Sequence, residues 1–172
     1  MKTLFILLIC TIYTFALDFA SIKTFQSKFI QIIVNPSGKI LKYNGDIFIA
    51  RPNHILWKYK TPIVKNVYIN DSFAIIDEPE LEQAIYTKID QEVNLFDMIN
   101  KAKKIDINHY LTKLNNVQYH IYTKDDKIDY ITYTDTLENS VKILFLESQY
   151  NQDIDKNIFV FKAPSDYDII RK

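Results

Sequence analysis

Over most of its length the chain alternates apolar and polar positions in short runs, each closed by turn-forming residues. A period of two puts every second side chain on the same face, which is the mark of half-buried strands. Residues 27–34 are apolar and β-branched, Asn35-Pro36-Ser37-Gly38 is a turn, and strands are expected over 39–50 and 53–60. Thr61-Pro62 breaks the pattern. Strands at 66–70 and 73–77 are joined across Asp71-Ser72, and Glu78-Pro79 leads into 81–89. Four more strands are expected at 117–123, 128–134, 141–150 and 157–163, the first three separated by polar turns at 124–127 and 135–139.

Between 91 and 104 the period becomes helical. Val93, Phe96, Ile99 and Ala102 recur at helical spacing, and Leu95 and Met98 widen the stripe. Asp90 is placed to cap this helix, Glu92 sits in its first turn, and Lys101, Lys103 and Lys104 in its last match the helix dipole. Asp106 is expected to start one more helical turn through Tyr110, and Asp18 to cap a short helix over 18–24. Roughly ten short, turn-bounded antiparallel strands with one amphipathic helical insertion predict a mainly β domain whose sheet curls around the helix. Gly45, the one glycine inside a strand pattern, is expected to mark a bend or bulge.

The run from Gly45 to Tyr59 holds the least ordinary pattern. It reads as two strands joined at Pro52, with Ile47, Ile49 and Arg51 on one face of the first and Ile55, Trp57 and Tyr59 on one face of the second. An arginine thus shares an apolar surface, where an unpaired ion costs several kcal/mol. The surface has therefore either given Arg51 partners or stayed partly open to water, and an apolar cavity accounts for both.

Met1-Lys2-Thr3, a short apolar core and Thr14-Phe15-Ala16 form a secretory signal, with cleavage expected after Ala16. The core is too short to span a bilayer. This leaves 17–172 as one soluble, exported domain. Cys10 is the only cysteine and lies in the removed segment, without the small preceding residue of a lipidation site, so the mature chain has no disulfide or thiolate chemistry. Basic and acidic residues balance at 21 each, so no net basic field exists to hold nucleic acid or grip an anionic membrane.

Little else points to chemistry. His54, His109 and His120 have no spacing that places two on one helix face. Asp153-Ile154-Asp155-Lys156-Asn157 opens like a calcium loop but has Ile158 where a glycine is needed, and is read as a hairpin turn. Glu78, Glu80 and Glu82, and Asp166 with Asp168, are read as charged turns. With two glycines there is no nucleophile elbow or phosphate loop, so the chain is expected to be no enzyme and to need no cofactor.

Gly45-Asp46 through Arg51-Pro52-Asn53, Trp57-Lys58-Tyr59, Pro62 and Glu78-Pro79-Glu80-Leu81-Glu82-Gln83 resemble the periplasmic outer-membrane lipoprotein carrier family, LolA. Phe25, Phe29 and Gln31 resemble its first strand, and Phe159-Val160-Phe161-Lys162-Ala163-Pro164 with Asp168-Ile169-Ile170 its closing strand and tail. The resemblance implies a half-open antiparallel β-barrel of about eleven strands with a lid of short α-helices. It implies acylated lipoproteins as cargo, an inner-membrane lipoprotein-releasing ABC transporter as donor, and an outer-membrane lipoprotein acceptor as an optional further partner. The carrier is expected to be a monomer. Arg51 matches the family's cavity arginine, which contacts the lid in the empty state, and Ile55 and Trp57 match positions facing the cavity. With Ile47, Ile49, Tyr59 and the helix residues Val93, Phe96 and Ile99 these make up the expected acyl-chain cavity and its gate. Only about seven residues lie between Ala16 and the first strand, so the family's longer first helix is either reduced here or begins inside the signal segment, and the family's usual aromatics near Ile75 and Asp77 are missing. The alternative reading is a periplasmic lipid-binding or sensory domain on the same scaffold.

Overall fold

The alternating runs fold into strands because β-branched and aromatic side chains fit a pleated surface with one dry face. A computed structural model describes residues 21–70, 73–88 and 95–172. Its strands are β1 (Thr24–Val34), β2 (Ile40–Ala50), β3 (His54–Thr61), β4 (Lys65–Asn70), β5 (Phe73–Glu78) and β6 (Gln83–Lys88). After helix α1 (Leu95–Asn100) come β7 (Lys103–Asp106), β8 (His109–Leu114), β9 (Val117–Lys124), β10 (Lys127–Thr134), β11 (Ser140–Tyr150) and β12 (Asp168–Arg171). All twelve lie in one sheet, ordered β12-β6-β5-β4-β3-β2-β1-β11-β10-β9-β8-β7. Every pairing is antiparallel except β12 with β6. The meander therefore runs outward from the central β1 to β6, restarts at the opposite edge with β7 and returns inward to β11, whose pairing with β1 joins the two halves.

Turn chemistry fixes the register. With glycine scarce, the tight turns after β8 and β9 fall to Asn115-Asn116 and Asp125-Asp126, all four at positive φ, which these short polar residues tolerate best. Asp135 accepts from the backbone of Leu137 and Asn139 at 2.9 Å each and from the Asn139 side chain at 2.8 Å, closing the β10–β11 turn. Those bonds, the Asn139 side chain foremost, hold its carboxyl below the usual range. Gly45 sits where the β2–β3 register slips between Asn44 and Gly45. A Cβ there would collide with the Lys58 carbonyl, so the expected bulge exists because only glycine lets the two backbones approach.

The sheet curls, and its inner face is the main core. Phe25, Phe29, Ile47, Ile49, Ile55, Ile121, Ile131, Ile143 and Phe145 form one buried cluster with Phe96, Met98 and Ile99 of α1. Among the described residues the outer face is covered over β3–β6. There the chain after β11 crosses it, and Phe159, 2% exposed, packs with Ala50 and Leu56.

Several expectations are corrected. The helix placed over 91–104 is helical only from Leu95 to Asn100 among the described residues; Val93, Asp90 and Glu92 lie outside them. Ala102 N–H donates to the Ile99 carbonyl and ends the turn, and Lys103–Asp106 pair with β8 as an edge strand. The helical turn after Asp106 is a hairpin turn in which Asp106 accepts from Ile107 N–H at 2.7 Å. The strand at 157–163 is absent. Asp155 instead accepts from Asn157 N–H at 3.0 Å and caps a short 3-10 turn, Lys156–Phe159, which also replaces the expected hairpin at 153–157. The sheet is closed at that edge by β12. Thr24 already belongs to β1, and 18–20, with residues 1–16 and Asp71-Ser72, lie outside the described residues. What is described is thus a mainly β, open curled sheet of twelve strands, where about eleven in a half-open barrel were expected, with one six-residue helix among the described residues.

Candidate functional site: an apolar groove closed by Arg51 and α1

The register puts Ile47 and Ile49 of β2 on the same face as Ile55, Trp57 and Tyr59 of β3, while Arg51 lies in the turn beyond β2. Ile47 pairs with Trp57 and Ile49 with Ile55, so all four point into the groove, and Tyr59 opposes Gly45 on the same face. Ile47 is 0% exposed, Ile49 and Ile55 are buried, and Trp57 and Tyr59 are half-buried. Phe29 meets Trp57 and Tyr59 edge-on, at 4.9 and 5.1 Å between ring centres, because the missing side chain at Gly45 leaves room for it.

The groove has two ends of different chemistry. At one, Phe96 and Ile99 of α1 press on Ile22, Phe25, Ile49, Ile128, Ile131, Phe145 and Tyr150, leaving an apolar pocket of about 20 Å³. Arg51 fixes this arrangement. Its Nε donates to the Ile22 carbonyl at 2.7 Å, its own N–H donates to the Lys23 carbonyl at 3.0 Å, and its guanidinium lies 4.7 Å above the Phe96 ring. One cation therefore joins the entry to β1, the β2–β3 turn and the helix.

The other end is lined by tyrosines. Tyr59 O–H donates to Gln31 Oε1 at 3.1 Å, Tyr43 lies 5.7 Å from Tyr59, and Tyr119 lies 4.8 Å from Tyr133. Burial, reinforced by Tyr133 and Tyr43, pushes the Tyr59 hydroxyl far up. Burial, Tyr119 and Asp135 push Tyr133 up to about 12, against a hydrogen bond from Gln31 that lowers it. Both phenols are uncharged at physiological pH, so they present rings and neutral hydroxyls to whatever enters. Lys65 lies 4.7 Å above the Tyr59 ring at the rim.

Pattern reading missed the far wall. Ile121, Ile128, Ile131, Tyr133, Ile143 and Phe145 line the groove as closely as Ile47 or Ile55. Their alternation was visible; that β10 and β11 lie across from β2 and β3 was not. Ile75 and Asp77, where aromatics were missed, face the other way. Asp77 pairs in register with Ala84 and takes a hydrogen bond from Asn66 at 2.8 Å on the outer face, beside Tyr167. His109 and His120, unrelated by helical spacing, meet on adjacent strands at 3.0 Å, and His54 bonds Asn70 at 2.9 Å. Among the described residues no group of three or more acids, histidines or cysteines is placed to hold a metal.

Residues 20–100 match the family model described as outer membrane lipoprotein carrier protein LolA. An outer-membrane lipoprotein carrier protein of Campylobacter jejuni is 36% identical over 170 residues, covering 99% of each chain. The chain belongs to the LolA family. The Wolinella succinogenes outer-membrane lipoprotein carrier protein is 31% identical over 156 residues, 90% of each chain, and one of Helicobacter pylori 33% identical over 152 residues, 88% of this chain and 82% of that one. Among solved structures an uncharacterized conserved protein of Thermus thermophilus superposes with a TM-score of 0.55 at 6% identity, covering 88% and 92% of the two chains, a likeness of fold alone. The LolA match covers the first half of the sheet, with Arg51 and the bulge at Gly45, while the Campylobacter relative extends it through β12.

Proposed function

We propose that this LolA-family chain is a periplasmic carrier that takes acylated lipoproteins from an inner-membrane ABC transporter, shields their acyl chains in the groove, and delivers them to the outer membrane or an acceptor there. Residues 1–16 are its export signal and 17–172 its single domain. No helix of the described residues is long and apolar enough to cross a membrane. The observation that carries the reading is full-length likeness to a lipoprotein carrier combined with an apolar groove closed by a cation.

The mechanism is a competition for one surface. An acyl chain of about fifteen methylenes gains up to ~12 kcal/mol on full burial. A pocket of about 20 Å³ admits none of it until α1 lifts off Phe25, Ile128 and Phe145. Lifting α1 removes Phe96 from Arg51 and exposes Ile99, at a cost that subtracts from the affinity for cargo. Returning α1 restores the contact, worth about 0.5–2 kcal/mol. Arg51 thus lowers net affinity and favours release of cargo. Val93, Ile47, Ile49, Ile55, Trp57 and Tyr59 complete the cavity in this account.

The test is mass spectrometry of what copurifies with the exported protein, expressed without detergent. Acylated lipoproteins are expected; free phospholipid alone or an empty protein would overturn the carrier reading.

A further inference from the structure

Charge balances over the whole chain but not along it. Between Phe19 and Asn70, Asp46 is the single acid against seven lysines and Arg51. Two loops of this basic half lie at one end of the sheet, because Val34 pairs with Ile40 and Asn44 with Thr61. Lys65 follows the second loop and lies above Tyr59 and Tyr43, so this end is the tyrosine-lined mouth of the groove.

Large apolar side chains stand in water there. Ile40 is 65% exposed, Leu41 41%, Ile63 50% and Val64 38%. Lys39 and Lys42 are exposed around them, as is Lys60, which pairs with Asp46. Apolar tips inside a collar of lysines suit the boundary between anionic headgroups and acyl chains, where burial of the tips and attraction of the cations act together. The combination is confined to the β1–β2 and β3–β4 loops: the β5–β6 and β10–β11 turns at this same end carry Glu80, Glu82, Asp135 and Glu138, and at the opposite end the exposed Ile105 and Ile107 flank Asp106 beside Asp125 and Asp126, all of which an anionic surface repels.

We propose that the rim formed by Ile40, Leu41, Ile63 and Val64 is a docking surface for an anionic phospholipid bilayer. Docking there sets the mouth of the groove against the membrane, so that acyl chains pass between the two with little exposure to water. The passage of chains rests on the carrier reading; the docking does not.

The test is flotation of the purified mature protein with phosphatidylethanolamine–phosphatidylglycerol vesicles, beside phosphatidylcholine vesicles and at raised salt. Cofloating with the anionic vesicles is expected, weakened by salt and reduced about tenfold by Ile63→Asp with Val64→Asp. Ile107→Asp should float as wild type does. Circular dichroism on the same samples shows that the variants are folded, as exposed positions permit. Absence of wild-type flotation with anionic vesicles, or equal loss in Ile107→Asp, would overturn the proposal, as would equal flotation with phosphatidylcholine. Binding of a fluorescent acyl probe without vesicles is measured alongside. A protein that binds the probe but does not float contradicts the docking alone, and one that floats but does not bind supports the docking and contradicts the carrier.

Discussion

Arg51 is held by a carbonyl below and a ring above, and both partners belong to segments that must part if the groove is to open. Arg51→Leu is therefore expected to remove the closing contacts and enlarge the apolar surface at once. Purified from the periplasm, that variant should carry several times more lipoprotein than wild type and release it more slowly; equal loading and equal release would remove Arg51 from the gate. At the other end the phenols of Tyr59 and Tyr133 are raised, first by burial. A group raised above its unfolded value stabilises the fold fully below that value, about 10 for tyrosine, and loses the contribution as pH passes the folded value. Thermal midpoints should hold to about pH 10 and fall towards pH 12 as Tyr133 ionises, with a shallower fall in Tyr133→Phe. A variant profile identical to wild type would contradict the assignment.

At the scale of elements, the β2–β3 bulge and the crossing segment make separate demands. Gly45→Ala drives a methyl group into the Lys58 carbonyl and should cost about 1–3 kcal/mol, read as a lower thermal midpoint. No change would mean that the bulge relaxes freely. Phe159→Ala should cost about 3–5 kcal/mol, because it empties a buried site beside Ala50 and Leu56. A loss below about 1 kcal/mol would show the crossing segment to be loosely held. β1, β2 and β9–β11 were legible because each has one dry face, which alternation records directly, and β3–β6 because their short apolar runs are bounded by turn residues. Lys103 and Lys104 were misread because a solvated edge strand has no dry face, so its lysines fit a helix terminus equally well. The segment after Asp155 was misread for the opposite reason: a 3-10 turn on the sheet buries Phe159 and half-buries Ile158, which produces strand-like apolar content without a ladder. Of the groove, the near wall could be read from Ile47 to Tyr59, since both strands meet in one hairpin. The far wall depends on β1 pairing with β11, more than a hundred residues away in sequence, and no local pattern records that.

For the molecule as a whole, the groove is filled by its own helix when empty, and cargo has to replace one apolar surface with another. Such an exchange needs no large driving force in either direction, which suits a carrier that both accepts and releases. A reporter already stands inside the groove, since Trp57 is the only tryptophan and touches Phe29. The most direct measurement is a titration of the mature protein with a diacylated lipopeptide brominated along its acyl chains, following Trp57 fluorescence. Saturable quenching, reached at lower concentration in Arg51→Leu, is the predicted result. Binding of the lipopeptide with Trp57 unquenched would place the acyl chains elsewhere and contradict the groove as their site.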